Sequence, residues 1–241
     1  MTVAIDAGNS RIKWAVHDGQ RWLDRGVQAT ADAPGLAAAA TQWPANSRAV
    51  VCNVAGAAVG ESISSLLAQR GARVSFLRAG AEACGVRSSY EIPEQLGADR
   101  WAALIGARAV CDSACVVVCA GTATTVDLLD ANGVFAGGLI LPGFELMRAA
   151  LARNTAQLPL AEGVFSEQPR NTMDAIVSGC LHAQLGAIER MFSGIAAAPG
   201  ALCLLTGGTA PRLARHLKIP FQLMDNLILD GLLRFAAAPG S

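Results

Sequence analysis

The sequence predicts an α/β chain of two related lobes, each opening with strands and closing with helices. Two observations carry this. Residues 2–10 (TVAI-D-AG-NS) and residues 115–124 (CVVV-C-AG-TAT) echo each other about half a chain apart. Each is a β-branched strand ending in a small turn that holds alanine, glycine and hydroxyl or amide side chains. In both halves, period-2 alternation then gives way to helical periodicity, the order expected of an α/β lobe. The repeat distance suggests two lobes rather than a short-period array. The lobes are expected at 1–112 and 113–241, with no Pro/Gly linker marking the join.

The elements follow in order. Arg11 to Val16 alternates, with Ile12, Trp14 and Val16 on a dry face and Arg11 and Lys13 on a charged one, so it reads as a hairpin strand. Residues 99–110 are alanine-rich and helical. Thr125 to Leu129 continues the second copy as a strand, and Asp130-Ala131-Asn132-Gly133 is a turn signal. Residues 172–192 carry a helical stripe of Ile176, Val177, Cys180, Leu185, Ile188 and Phe192, with Asn171 and Thr172 as candidate caps. The apolar run Ala201 to Leu205 is a strand leading into Thr206-Gly207-Gly208-Thr209.

Composition narrows the function classes. Of 241 residues, 52% are hydrophobic and 16% charged, so a large core can form and disorder is not expected. The 19 basic residues match 19 acidic ones and form no run, which argues against nucleic acid as a partner. Seven cysteines (Cys52, Cys84, Cys111, Cys115, Cys119, Cys180 and Cys203) are an odd number without a CxxC pair, so no secreted disulfide framework is expected. Cys115, Val117 and Cys119 alternate in an apolar run and read as small hydrophobes of a buried strand. The N-terminus carries Asp6 and no charged leader, and no apolar run approaches the ~20 residues of a membrane span. A cytoplasmic protein without a membrane association is expected.

Three glycine turns follow three strands. In Asp6-Ala7-Gly8-Asn9-Ser10-Arg11-Ile12-Lys13, glycine allows backbone N–H groups to approach phosphate oxygens, Asn9 and Ser10 add donors, and Lys13 adds charge. Asp6 can hold Mg2+ directly or through water. Gly121-Thr122-Ala123-Thr124-Thr125 offers donors of the same kind, and Gly207-Gly208 can face a nucleotide. Each alone is also an ordinary turn; three of them, two echoing each other, favour phosphate binding. None is a Walker P-loop. In the segment Tyr90 to Trp101, Asp99 suits a helix start and equally a general base, and Arg100 beside Tyr90 suits a carboxylate clamp. His17, His182 and His216 have no spaced partner and are read as surface or core residues.

In this order the chain resembles the type III pantothenate kinases, also known as Bvg accessory factor homologues. The matching segments are DAGNSRIK (6–13), YEIPEQLGADRW (90–101), AGTATTVD (120–127), GGLILPG (137–143), ALARNTAQLP (150–159), NTMDAIVSG (171–179) and TGGTA (206–210). The resemblance implies two RNase H-like lobes of the actin/hexokinase/Hsp70 (ASKHA) superfold with a nucleotide cleft between them. It implies ATP, Mg2+ and pantothenate, with 4'-phosphopantothenate as product and coenzyme A biosynthesis as the role. It makes Asp6 through Lys13 the first phosphate loop, Thr122 an ATP contact and Asp99 the base. It places Tyr90, Gly97, Ala98 and Arg100 at the pantothenate site, with Thr172 delivered from the other subunit of a homodimer. One position departs from the pattern: Cys119 stands where the family usually has an aspartate binding a monovalent cation (K+ or NH4+). A thiol is a poor ligand for such a hard cation, so weak or absent K+ dependence is expected. A kinase of the same superfold acting on a sugar or an acetamido compound, and a non-catalytic regulator keeping the nucleotide fold, are the competing readings. Arg100 beside Tyr90 argues against the first, and intact Asp6, Lys13, Asp99 and Arg100 argue against the second.

Overall fold

The computed structural model describes residues 1–160 and 162–238. In chain order its elements are β1 (Thr2–Ala7), β2 (Arg11–His17), β3 (Trp22–Ala29), α1 (Ala33–Ala40), β4 (Arg48–Asn53), α2 (Ala57–Gln69), β5 (Arg73–Phe76), β6 (Glu82–Ala83), β7 (Val86–Ser88) and α3 (Ala98–Val110). There follow β8 (Cys115–Ala120), β9 (Ala123–Leu129), β10 (Val134–Pro142), α4 (Phe144–Asn154), α5 (Thr172–Ser193), β11 (Leu202–Thr206), α6 (Ala210–Ala214), β12 (Phe221–Leu223) and α7 (Leu227–Ala237). The helices expected at 99–110 and 172–192 and the strand expected at 201–205 are α3, α5 and β11.

The chain forms two compact units. Among the described residues, one comprises Met1–Val110, Gly133–Phe135 and residues 226–238; the other comprises Cys111–Asn132 and residues 136–225. A division at 112 leaves the C-terminal helix with the second half, whereas here α7 belongs to the first unit. The reason is close helix packing. A Cβ on Gly231 would run into the Ala102 carbonyl, and one on Gly106 into the Leu227 carbonyl, so α3 and α7 meet backbone to backbone.

In the first unit the strand order is β3-β2-β1-β4-β5, with β1 antiparallel to β2 and parallel to β4. Alternation along β1 and β2 sends Val3, Ile5, Ala7, Ile12, Trp14 and Val16 to one face, where they pack with Leu36 and Ala40 of α1, Trp43, and Ile63 and Leu67 of α2. Trp14 and Trp43 meet edge to face with ring centres 5.9 Å apart, a favoured aromatic geometry. Ala4 and Asp6 therefore point to the opposite face, the side packed by α3 and α7.

The second unit has neighbouring strands in the order β10-β9-β8-β11-β12. Element for element this is the order of the first unit. An antiparallel hairpin, β8 with β9, again lies beside a parallel strand, β11. The sequence echo is thus a topological repeat. α5 lays Ile176, Val177, Cys180, Leu181, Leu185, Ile188 and Phe192 on Val116, Val118, Ala120 and Val126. Asn171 alone caps this helix, accepting the Asp174 N–H at 2.9 Å; Thr172 is its first helical residue. β10 begins in the first unit, where Val134 and Phe135 pair with Arg87 and Ser88 of β7.

Candidate active site

The β1–β2 turn is built to hold its shape. The Gly8 N–H donates to the Arg11 carbonyl at 3.1 Å, and Thr30 donates from its hydroxyl to the Gly8 carbonyl at 2.7 Å and from its N–H to the Ser10 carbonyl at 3.1 Å. Glycine here closes the turn on itself. Asn9, Ser10 and Arg11 stand exposed at its tip, flanked by buried Ala7 and Ile12.

Below the tip lies a charge cluster. Asp6 is only 7% exposed, and its direct cross-strand partner is Lys13. Burial pushes the Asp6 carboxyl up to about 6; Lys13 pulls it down, and Asp99 pushes it up again. Asp99, some ninety residues away in sequence, thus lies within electrostatic reach of Asp6. The topology explains it: the face of β1 that carries Asp6 is the face packed by α3 and α7.

At the start of α3, the Gly97 carbonyl accepts the Trp101 N–H at 2.9 Å, and Asp99 Oδ1 accepts the Arg100 N–H at 2.9 Å. A Cβ on Gly97 would lie 2.6 Å from Asp99 Oδ1, so a larger residue there would have to displace the carboxylate from the position it holds. Asp99 steadies the helix N-terminus, where a negative charge is favoured, and the same carboxylate lies near Asp6. Ala98 begins the helix between them. Arg100 is buried, 4% exposed, and donates to the Tyr90 hydroxyl at 3.1 Å. Its guanidinium lies 5.8 Å from the Tyr90 ring centre and 5.6 Å from that of Phe135, and the two rings are 5.1 Å apart. This aromatic corner pre-sets the guanidinium fork.

In the second unit the two remaining turns lie together. The Gly121 N–H donates to the Ala123 carbonyl at 2.9 Å, repeating the closure seen at Gly8, and the Gly143 N–H donates to the Thr122 carbonyl at 2.8 Å. The Thr209 N–H reaches the Ala120 carbonyl at 3.1 Å. Gly207 has φ +107°, and a Cβ there would strike the Ala120 backbone, so only glycine lets the third turn rest on the second. Gly121, Thr122 and Gly208 are exposed, and so is Thr172 at the start of α5.

The residues fit one expected cation and not the other. Mg2+ on a nucleotide keeps most of its water and takes one or two protein carboxylates; the buried Asp6 carboxylate suits that role. Among the described residues no group of three or more His, Cys, Asp or Glu forms a metal cluster. Cys119, next to last in β8, lies opposite Thr125, and a thiol there does not suit K+.

Sequence reasoning missed Phe135, which reaches Arg100 only through the pairing of β10 with β7. It also missed a partner for His182, whose Nε2 lies 3.9 Å from Glu167 Oε2, while the His216 ring rests 3.9 Å from that of Phe165. No helix among the described residues is long and apolar enough to cross a membrane.

Residues 2–194 match the family model for type III pantothenate kinase. The chain belongs to the type III pantothenate kinase family. A relative from Aromatoleum aromaticum (strain DSM 19018 / LMG 30748 / EbN1), described as a type III pantothenate kinase, is 56% identical over 232 residues and is covered over 96% of each chain. Among solved structures, a conserved putative Baf family transcriptional activator from Campylobacter jejuni superposes with TM-score 0.65 at 20% identity, over 97% of this chain and 96% of that one. A putative 2-dehydro-3-deoxygalactonokinase from Sinorhizobium meliloti gives TM-score 0.65 at 17% identity, over 98% of both chains. The fold is therefore an α/β fold shared with these two structures. Six of the seven sequence segments that carry the resemblance fall on or beside the turns and helix starts described above, ALARNTAQLP at 150–159 covers the end of α4 and the residues after it, and TGGTA at 206–210 extends the pattern beyond the matched residues.

Proposed function

We propose that this type III pantothenate kinase transfers the γ-phosphoryl group of ATP to the primary hydroxyl of pantothenate, giving 4'-phosphopantothenate, the first step of coenzyme A biosynthesis. The observation that carries the reading is the convergence of Asp6 of β1 and Lys13 of β2 with Asp99 of α3, the helix that also carries Arg100. Phosphoryl transfer asks the protein mainly for positioning and charge neutralisation. Lys13 offsets charge on the phosphate oxygens, and the turns at Asn9–Ser10 and Gly121–Thr122, with Gly207 and Gly208, hold the phosphates. Mg2+ would be held at Asp6 and would supply further neutralisation there. Asp99 orients the attacking hydroxyl and accepts its proton. Arg100, fixed by Tyr90, clamps the pantothenate carboxylate, with Gly97 and Ala98 leaving room beside it.

In this reading the two units are the paired RNase H-like lobes of the superfold, and the turns they supply serve one nucleotide. The protein acts in the cytoplasm as a homodimer in which Thr172 of one subunit completes the substrate site of the other. The test is a coupled ADP-release assay with pantothenate and Mg-ATP. Pantothenate-dependent turnover is expected. Folded protein that binds nucleotide yet releases no ADP would instead support a regulator that kept the nucleotide fold.

A further inference from the structure

Gln184 lies on α5 with no exposed surface, in a buried stripe that is apolar but for it and Ser178. An amide there gives up water at every donor and acceptor it has. Leucine or methionine would fill similar space without that cost. Its partners indicate what the amide does instead. Its Oε1 accepts from the hydroxyl of Thr124, itself fully buried, at 3.0 Å. Its Nε2 donates to the Pro142 carbonyl at 3.3 Å, with Met147 Sδ at 4.0 Å.

Both partners border the second glycine turn. Thr124 follows Gly121-Thr122-Ala123 directly. Pro142 precedes Gly143, whose N–H donates to the Thr122 carbonyl at 2.8 Å. A Cβ on Gly143 would run into the Gly121 and Thr122 carbonyls, so the end of β10 lies hard against the turn. Gln184 thus ties the strand leaving the turn to the strand that backs it.

We propose that Gln184 is a positioning residue for phosphoryl transfer, its amide bracing the turn so that Gly121 and Thr122 meet the ATP phosphates in one fixed register. The proposal rests on the reading of that turn as a phosphate site, so the experiment tests both. Three single variants, and the double variant Gln184→Leu with Thr124→Val, are compared by steady-state kinetics well below their melting temperatures. Gln184→Leu keeps the packing and removes both hydrogen bonds. Thr124→Val removes the hydroxyl and keeps the shape, and covers the case in which Gln184→Leu does not fold. Thr122→Ala probes the turn itself.

Gln184→Leu is expected to raise the KM for Mg-ATP about 5- to 10-fold, as loss of one or two hydrogen bonds implies, with the KM for pantothenate within about twofold. Thr124→Val is expected to raise it about threefold, and the double variant no further than Gln184→Leu alone, because the two groups act through each other. A normal KM for Mg-ATP in Gln184→Leu and Thr124→Val, with or without a lower Tm, would overturn the bracing role while an effect of Thr122→Ala left the turn's own role standing. Equal rises in both KM values would overturn it too. If Thr122→Ala also leaves the KM for Mg-ATP unchanged, the phosphate reading of the turn fails and the proposal with it.

Discussion

Asp6 and Lys13 are direct partners in the antiparallel ladder of β1 and β2, yet the lysine does not bring the Asp6 carboxyl down to an ordinary value. Burial outweighs the attraction of the Lys13 charge, and Asp99 adds to it, leaving the carboxyl at about 6 against an unperturbed 3.8. A folded-state value above the unfolded one means that the native state holds more protons between pH 3.8 and about 6. Asp6 therefore favours the native state at low pH, and that contribution is lost as pH rises through about 6. Asp6→Asn should remove the burial cost of the charge and raise the unfolding free energy at pH 7.5, by an amount on the order of 2 kcal/mol, while abolishing turnover. At pH 4 the gain should vanish. Urea denaturation of the ligand-free protein at the two pH values checks this; equal stability of the variant and the parent at pH 7.5 would refute it.

Asp99→Asn should lower turnover by about 10²- to 10⁴-fold, the usual worth of a general base. The amide oxygen of asparagine can still accept the Arg100 N–H, so α3 keeps its start and nucleotide affinity should hold within about threefold. Single-turnover phosphorylation together with nucleotide titration separates the two effects. Near-parental turnover would remove Asp99 from the role.

The family resemblance sets Cys119 where an aspartate would bind a monovalent cation, and a thiol sulfur is too soft a ligand for K+. Exchanging Na+ for K+ should therefore change the rate of the native protein less than about twofold, whereas Cys119→Asp should become K+-stimulated. The charge introduced by that variant lies at the end of β8 beside the second turn, where an empty site would repel the phosphates. Hence the variant in Na+ should be slower than the parent. A many-fold K+ effect in the native protein would show that the site works without the aspartate.

Much of this was legible in the sequence, and for a definable reason. The β1–turn–β2 and β8–turn–β9 echo sits in contiguous residues, so period-2 alternation and glycine were enough to place both hairpins, and the capping residue Asn171 sits directly before its helix. What escaped was whatever depends on partners distant along the chain. Phe135 reaches the Arg100 corner through two residues of parallel pairing with β7. Gln184 gives no signal in the sequence; only the fold sets it against Thr124 and Pro142. The affiliation of α7 escaped for the same reason, because glycine inside a helix is silent until another backbone is found against it.

Two helical glycines should respond oppositely to the same substitution. On α7, Gly231 lies against the Ala102 carbonyl with no room for a Cβ. Gly231→Ala must push α7 away from α3, an overpacking that costs about 1–3 kcal/mol. α3 carries Asp99 and Arg100 at its first turn, so the displacement should also lower kcat/KM rather than stability alone. On α5, Gly186 is exposed and a Cβ there meets nothing within 4 Å. Gly186→Ala should therefore stabilise, by about 0.5–1 kcal/mol, since alanine restricts the unfolded chain and favours the helix. Chemical denaturation of the two variants side by side reads both signs. Were Gly231→Ala as stable as Gly186→Ala, the close approach of α3 and α7 would not be what holds the C-terminal helix to the first unit.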